Sequence, residues 1–125
     1  MRQTVRSGSP YEEAIGFSRA VRDGDLIHVA GTAPVWPDGH CDPDPEVQAT
    51  RCFAIIGEAL AGLGASLDDV VRTRMYLTDA AVADAVGRAH ARAVGHARPA
   101  ATMVVVAGLL DPRWLVEVEA DAVHR

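Results

Sequence analysis

Aromatic residues are few, 5% of a chain that is 49% hydrophobic, which excludes a core of stacked rings and leaves Ala, Val, Leu and Ile to fill it. Cysteine is scarce too. Cys41 and Cys52 are too few for a disulfide framework and stand at no metal-ligand spacing, so both read as reduced thiols, Cys52 as a small hydrophobe on a helix. Cations never gather into a stripe that could follow a phosphate backbone, and the formal net charge is −5, so nucleic acid is not an expected partner. No apolar run is long enough to cross a bilayer, and Met1-Arg2-Gln3-Thr4-Val5-Arg6 lacks the apolar segment of a signal peptide; a cytoplasmic protein without membrane contact is expected. The 125 residues allow one core and no linker, so a single domain over 1–125 is expected.

What is present is strand pattern at both ends. Arg98 to Ala107 is β-branched and almost uncharged, which suits a strand buried on both faces. After the Gly108 to Arg113 loop, Trp114 to Val123 alternates strictly, so Glu117, Glu119 and Asp121 share one face and Trp114, Val116, Val118, Ala120 and Ala122 the other. At the beginning, Gln3 to Ser7 is a strand candidate, and Gly8 to Glu13 is expected to be an irregular polar loop. Asp23-Gly24 is the strongest hairpin signal, joining strands over 17–22 and 25–31. His28 lies on the second of these with no other ligand at metal spacing, and reads as a surface or interface residue. Gly31 ends the strand, either as a turn residue or to admit a close backbone or ligand approach.

Asp44-Pro45-Glu46 is a helix start, and Ala49, Cys52, Phe53, Ile56, Leu60 and Leu63 recur at helical spacing before Gly62 and Gly64 stop it. Gln48, Arg51 and Glu58 form its polar face. Val70 to Leu77 alternates as a strand, with Arg72, Arg74 and Tyr76 facing one way and Val71, Thr73, Met75 and Leu77 the other. That basic face complements the acidic one, either as cross-strand ion pairs or as part of a site. Thr78-Asp79 opens a second helix carrying Val82, Val86, Ala89 and Ala93. His40, Asp42 and Asp44 share a loop, but loop acids with one His are ordinarily solvated, so no metal is expected. The order β-β-β-α-β-α-β-β predicts an α+β mixed sheet with two helices on one face, whose apolar uncovered face needs further copies of the chain to bury it.

The Asp23-Gly24 hairpin, Val29 to Pro34, Gly64 to Val71, Arg98-Pro99-Ala100 and Leu115 to Ala120 together resemble the Rid family, the reactive intermediate deaminases also called the YjgF family. The resemblance implies a chorismate-mutase-like fold, a homotrimer with a central barrel, and small-molecule clefts between subunits. It also implies hydrolysis of reactive enamines and imines to 2-oxo compounds and ammonia, without metal or organic cofactor. In the family an arginine after the Pro-Ala of the late strand takes the substrate carboxylate, a glutamate of the last strand handles water, and backbone at the strand-end glycine holds substrate.

Residue by residue, Glu117 matches the glutamate and Gly31 the glycine, while Ala101 stands at the arginine position. Phe17 replaces a tyrosine, Ala30 a serine, Met103 a cysteine, and Gly87 falls near the position of an asparagine. The chain thus resembles a branch lacking the substrate-binding arginine. The expected cleft holds Gly31, Thr32, Phe17, Ala101 and Met103 around catalytic Glu117, with Arg19, Arg74 or Arg98 available as a substitute cation. The alternative class is a binding module that holds a metabolite or a partner without turnover.

Overall fold

The structure is a computed structural model that describes residues 1–125. Six strands form one sheet, β1 (Arg2–Val5), β2 (Ala20–Asp23), β3 (Leu26–Thr32), β4 (Val70–Leu77), β5 (Ala100–Val105) and β6 (Val116–Val123), in the order β1-β2-β3-β6-β4-β5. Every neighbouring pair is antiparallel except β4 and β5. The helices are α1 (Pro10–Ile15), α2 (Pro45–Ala61) and α3 (Ala83–Val94). The last two pack on one face of the sheet, as the sequence predicts.

That face is the core. Val116, Val118, Ala120 and Ala122 of β6 and Ile27 and Val29 of β3 meet Ala49, Cys52, Phe53, Ile56 and Leu60 of α2, all buried. Phe53 is the one fully buried aromatic, as expected of a core made of aliphatic side chains. Asp44 caps α2 by accepting from the Glu46 and Val47 amides at 2.8 and 3.1 Å, and Pro45 takes the first helical position, where a missing N–H costs nothing. Asp79 likewise accepts from the Ala81 amide and starts the turn that leads into α3. On α3, Val86 and Ala89 are buried and His90 accepts or donates at 2.8 Å to the Thr73 hydroxyl beneath it.

Several expectations are corrected. The stretch expected to be an irregular loop, Gly8 to Glu13, contains most of α1: Ser9 accepts from the Tyr11 amide, Pro10 sits at the first turn, and Gly16 closes it at φ 88°. The hairpin turn lies one residue later than Asp23-Gly24. Asp23 pairs with Leu26, so Gly24 and Asp25 form the turn, with Gly24 supplying φ 64° at the first central position. Gln48 belongs to the buried side of α2 and not to a polar face. A bulge between Val70 and Arg72 turns Val71 out to solvent while Val70 faces the core.

The late strand is not buried on both faces. β5 is an edge strand, and all six of its residues are exposed in the single chain. Nor is the uncovered sheet face apolar throughout. It carries charge along β6 and β4, and its apolar residues are concentrated toward Val71 and Val104 at the β5 edge.

Candidate functional site

Glu117 enters the open face of the sheet because its neighbours Val116 and Val118 are drawn to the core, and side chains alternate along a strand. The adjoining β3 is bulged between Val29 and Thr32, which leaves Gly31 exposed toward β6 and returns Thr32 to the core. The Glu117 carboxylate lies over the bare Gly31 Cα. A Cβ built there would stand 2.6 Å from Oε2, so no larger residue fits with the carboxylate in place.

Arg19 completes the group from the chain entering β2. Its amide donates to the Val5 carbonyl and its carbonyl accepts from the Ala30 amide, so the backbone is held although Arg19 precedes the regular strand. Alternation places its side chain on the open face, because Ala20 is buried. The guanidinium donates from Nη2 to the Gly31 carbonyl at 2.5 Å, and its carbon lies 6.0 Å from the Phe17 ring centroid. Phe17, Arg19, Gly31 and Glu117 therefore form one cluster within a single chain.

Burial holds the Glu117 carboxyl above the usual carboxylate range, with the Arg19 charge pulling it back and Glu119 pushing it further up. Burial also draws the Arg19 guanidinium below its ordinary value, against the attraction of Glu12 and Glu117. Glu12, on α1, is 4% exposed, and the Ser7 amide donates to it at 3.1 Å together with the Ser7 hydroxyl. The sequence does not single out Glu12, because the Gly and Pro around it signal a loop and its burial depends on α1 forming.

The other expected site residues lie elsewhere. Thr32 is fully buried, its hydroxyl donating to the Ala30 carbonyl at 2.8 Å, so its side chain faces away from Glu117. Ala101 and Met103 pair with Thr73 and Met75, which are buried beneath α3, and Met103 reaches toward Gly87. Glu117 pairs with Tyr76, and Tyr76 with Val104, so those three share the opposite face. In one chain Ala101 and Met103 are thus on the wrong side of the sheet to meet Glu117.

Arg74 is engaged by the acids of β6, at 3.5 Å from Glu119 and 3.6 Å from Asp121, and Tyr76 donates its hydroxyl to Glu119. His28 adds a 2.8 Å contact to Asp121. Arg74 and Tyr76 of the basic face are therefore partners of Glu119 and Asp121 of the acidic one. Arg98, at φ 49°, is the one non-glycine residue in the left-handed region, and β4 separates its strand from β6.

Gln48, expected on a polar helix face, instead ties the entry of β6 to α2. Fully buried, it accepts from the Leu115 amide at 2.8 Å and donates to the Asp42 and Arg113 carbonyls at 2.7 and 3.0 Å, tying two loops and the entry of β6 to α2. Those loops also enclose a hollow of about 120 Å³ lined by Trp36, His40, Cys41, Arg113 and Trp114. No three His, Cys, Asp or Glu side chains come together to ligate one ion. His40 instead contacts Asp38 at 2.5 Å, and the Asp42 carboxylate accepts from the Asp44 amide. All twelve Lys-plus-Arg cations are arginines, so a lysine Schiff base has no residue to form on. No helix is long and apolar enough to cross a membrane.

Comparison with known proteins bears on the family and the fold. Residues 9–124 match the family model described as Endoribonuclease L-PSP. The chain is 44% identical to the uncharacterized protein SCO2049 of Streptomyces coelicolor, over 94% of this chain and 89% of that one. It is 33% identical to the RutC family protein PYRAB12510 of Pyrococcus abyssi, over 85% and 84%. Among solved structures it is similar to Rv2704 of Mycobacterium tuberculosis, a member of the YjgF/YER057c/UK114 family, with TM-score 0.91, 45% identity and coverage of 99% and 100%. PA3499 of Pseudomonas aeruginosa gives TM-score 0.85 at 26% identity, with coverage of 98% and 92%. With nearly its whole length matched in sequence and in fold, the chain belongs to the YjgF, or Rid, family.

Proposed function

We propose that the protein hydrolyses small reactive enamines or imines in a cleft between copies of the chain, with Glu117 as the general acid and base. The observation that carries this reading is the Glu117 carboxylate itself, half-buried over the bare Gly31 Cα, where burial raises its pKa in the direction that suits a general acid and base. Water adds to the C=N carbon as Glu117 accepts one of its protons, and the proton passes to nitrogen. In the resulting carbinolamine the hydroxyl proton passes through Glu117 to the nitrogen, the C–N bond breaks with its electron pair leaving on ammonia, and the oxygen becomes the carbonyl. An enamine joins the same route after protonation on carbon. Nothing in these steps calls for a cofactor or an enzyme-bound intermediate.

Two observations support a cleft made by more than one copy. β5 leaves its outer edge unpaired and its residues exposed, a surface that a further copy would cover. Ala101 and Met103 also lie across the sheet from Glu117 in the same chain, so one cleft can contain all three only if the copies differ. A homotrimer is the assembly proposed. The test couples the purified protein to a dehydratase that generates 2-aminoacrylate and follows its decay. Acceleration that is lost in Glu117→Gln is the expected outcome; a folded wild-type protein that gives none contradicts the proposal and leaves ligand binding without turnover.

A further inference from the structure

We propose that Arg19 holds a carboxylate of the ligand beside Glu117, an inference that rests on the cleft described above being the ligand site. The observation is an unspent cation. Arg22 gives its Nε, Nη1 and Nη2 donors to the Gly24, Leu63 and His124 carbonyls at 2.9, 2.7 and 2.8 Å. Arg74 faces Glu119 and Asp121. Arg19 has one protein acceptor, the Gly31 carbonyl, and no carboxylate oxygen lies within 4.0 Å of it. Its Nε is buried with no partner, and Nη1 makes no protein hydrogen bond.

A partly desolvated guanidinium with open donors is costly unless something else completes its bonding. Glu12 does not do so, because its carboxylate is taken by Ser7. Glu117 does not either, although both acids act on Arg19 through space. The Nη2 bond to Gly31 and the Phe17 ring fix the plane of the guanidinium at the edge of the Glu117 site, leaving Nη1 for a ligand oxygen. A charged donor favours an anionic oxygen over a neutral one, and a carboxylate would offer that oxygen to Nη1 next to the acid that handles the proton. The charges and titratable groups around Glu117 are Arg19, Cys52 on α2, Tyr76 on β4 and Glu119 on β6, while Glu12 on α1 acts on Arg19. With so many acids near one guanidinium, a bound carboxylate favours the protonated form of Glu117, which burial already favours.

The test measures binding, not turnover, so it can fail independently of the proposed hydrolysis. Calorimetric titration with 2-oxobutanoate and with its uncharged analogue 2-oxobutanamide is compared for wild type and Arg19→Gln. Wild type is expected to prefer the acid by about tenfold or more, and Arg19→Gln to lose that preference while keeping its affinity for the amide. Equal affinity of wild type for acid and amide overturns the proposal whether or not the variant folds, as does failure of wild type to bind 2-oxobutanoate at millimolar concentration. Retention of the preference in folded Arg19→Gln, or its loss in Arg98→Gln instead, overturns it as well.

Discussion

Gly31 and Glu117 act as one unit at the scale of single residues, since the carboxylate occupies the space a side chain at Gly31 would need. Gly31 is not among the glycines with positive φ, so its requirement is one of space and not of backbone conformation. Gly31→Ala would displace the end of a flexible side chain and spare the backbone. The expected outcome is a fall of about tenfold or more in kcat/KM with the melting temperature nearly unchanged, because each 1.4 kcal/mol of lost transition-state stabilisation is tenfold in rate. Full activity in the folded variant would show that the carboxylate is not working from this position, and unfolding would show that more than the Glu117 side chain has to move. His90 gives a prediction of a different kind. Burial lowers its pKa, so the folded state resists a proton that the unfolded chain accepts. Stability is therefore complete above the ordinary histidine value near 6.5 and declines as pH falls below it. Denaturation at a series of pH values should show a smaller decline over this range in His90→Gln than in wild type.

Among the elements, those legible in the sequence are the ones whose signals are local. The Asp44 cap, the α2 stripe and the alternation of β6 are each written within one stretch of chain, and the structure has them where they are expected. Gln48 is the opposite case. Its spacing groups it with Arg51, and its burial arises only because the loops before α2 and before β6 fold over that end of the helix. Gln48→Ala would leave the Leu115 amide and the Asp42 and Arg113 carbonyls without that partner. It should cost about 2–3 kcal/mol in denaturant unfolding, and should lower activity by loosening the entry of β6 that aims Glu117. β5 was misread for a related reason: its β-branched composition describes a covered strand, and within one chain nothing covers it. The candidate site was only partly legible. Alternation puts Glu117, Glu119 and Asp121 on one face of β6, but whether Arg19 joins that face, the bulge that separates Gly31 from Thr32, and the face that Ala101 occupies all depend on pairings between distant strands.

For the whole molecule, the sheet has a covered side with a complete core and an open side where charge is concentrated along β6 and β4. In the proposed cleft Glu117 from the open side of one copy meets the β5 edge of another, so the site would be a property of the assembly. This can be measured by subunit complementation. Glu117→Gln removes the acid, and Met103→Trp blocks the β5 edge without touching Glu117 in its own chain. Each variant alone is expected to be nearly inactive in the dehydratase-coupled decay of 2-aminoacrylate. When the two are unfolded together and refolded, activity should return to about a quarter of wild type, since random mixing leaves about one interface in four with both native halves. A mixture as inactive as its two components, under conditions where refolded wild type regains activity, would contradict a cleft shared between copies.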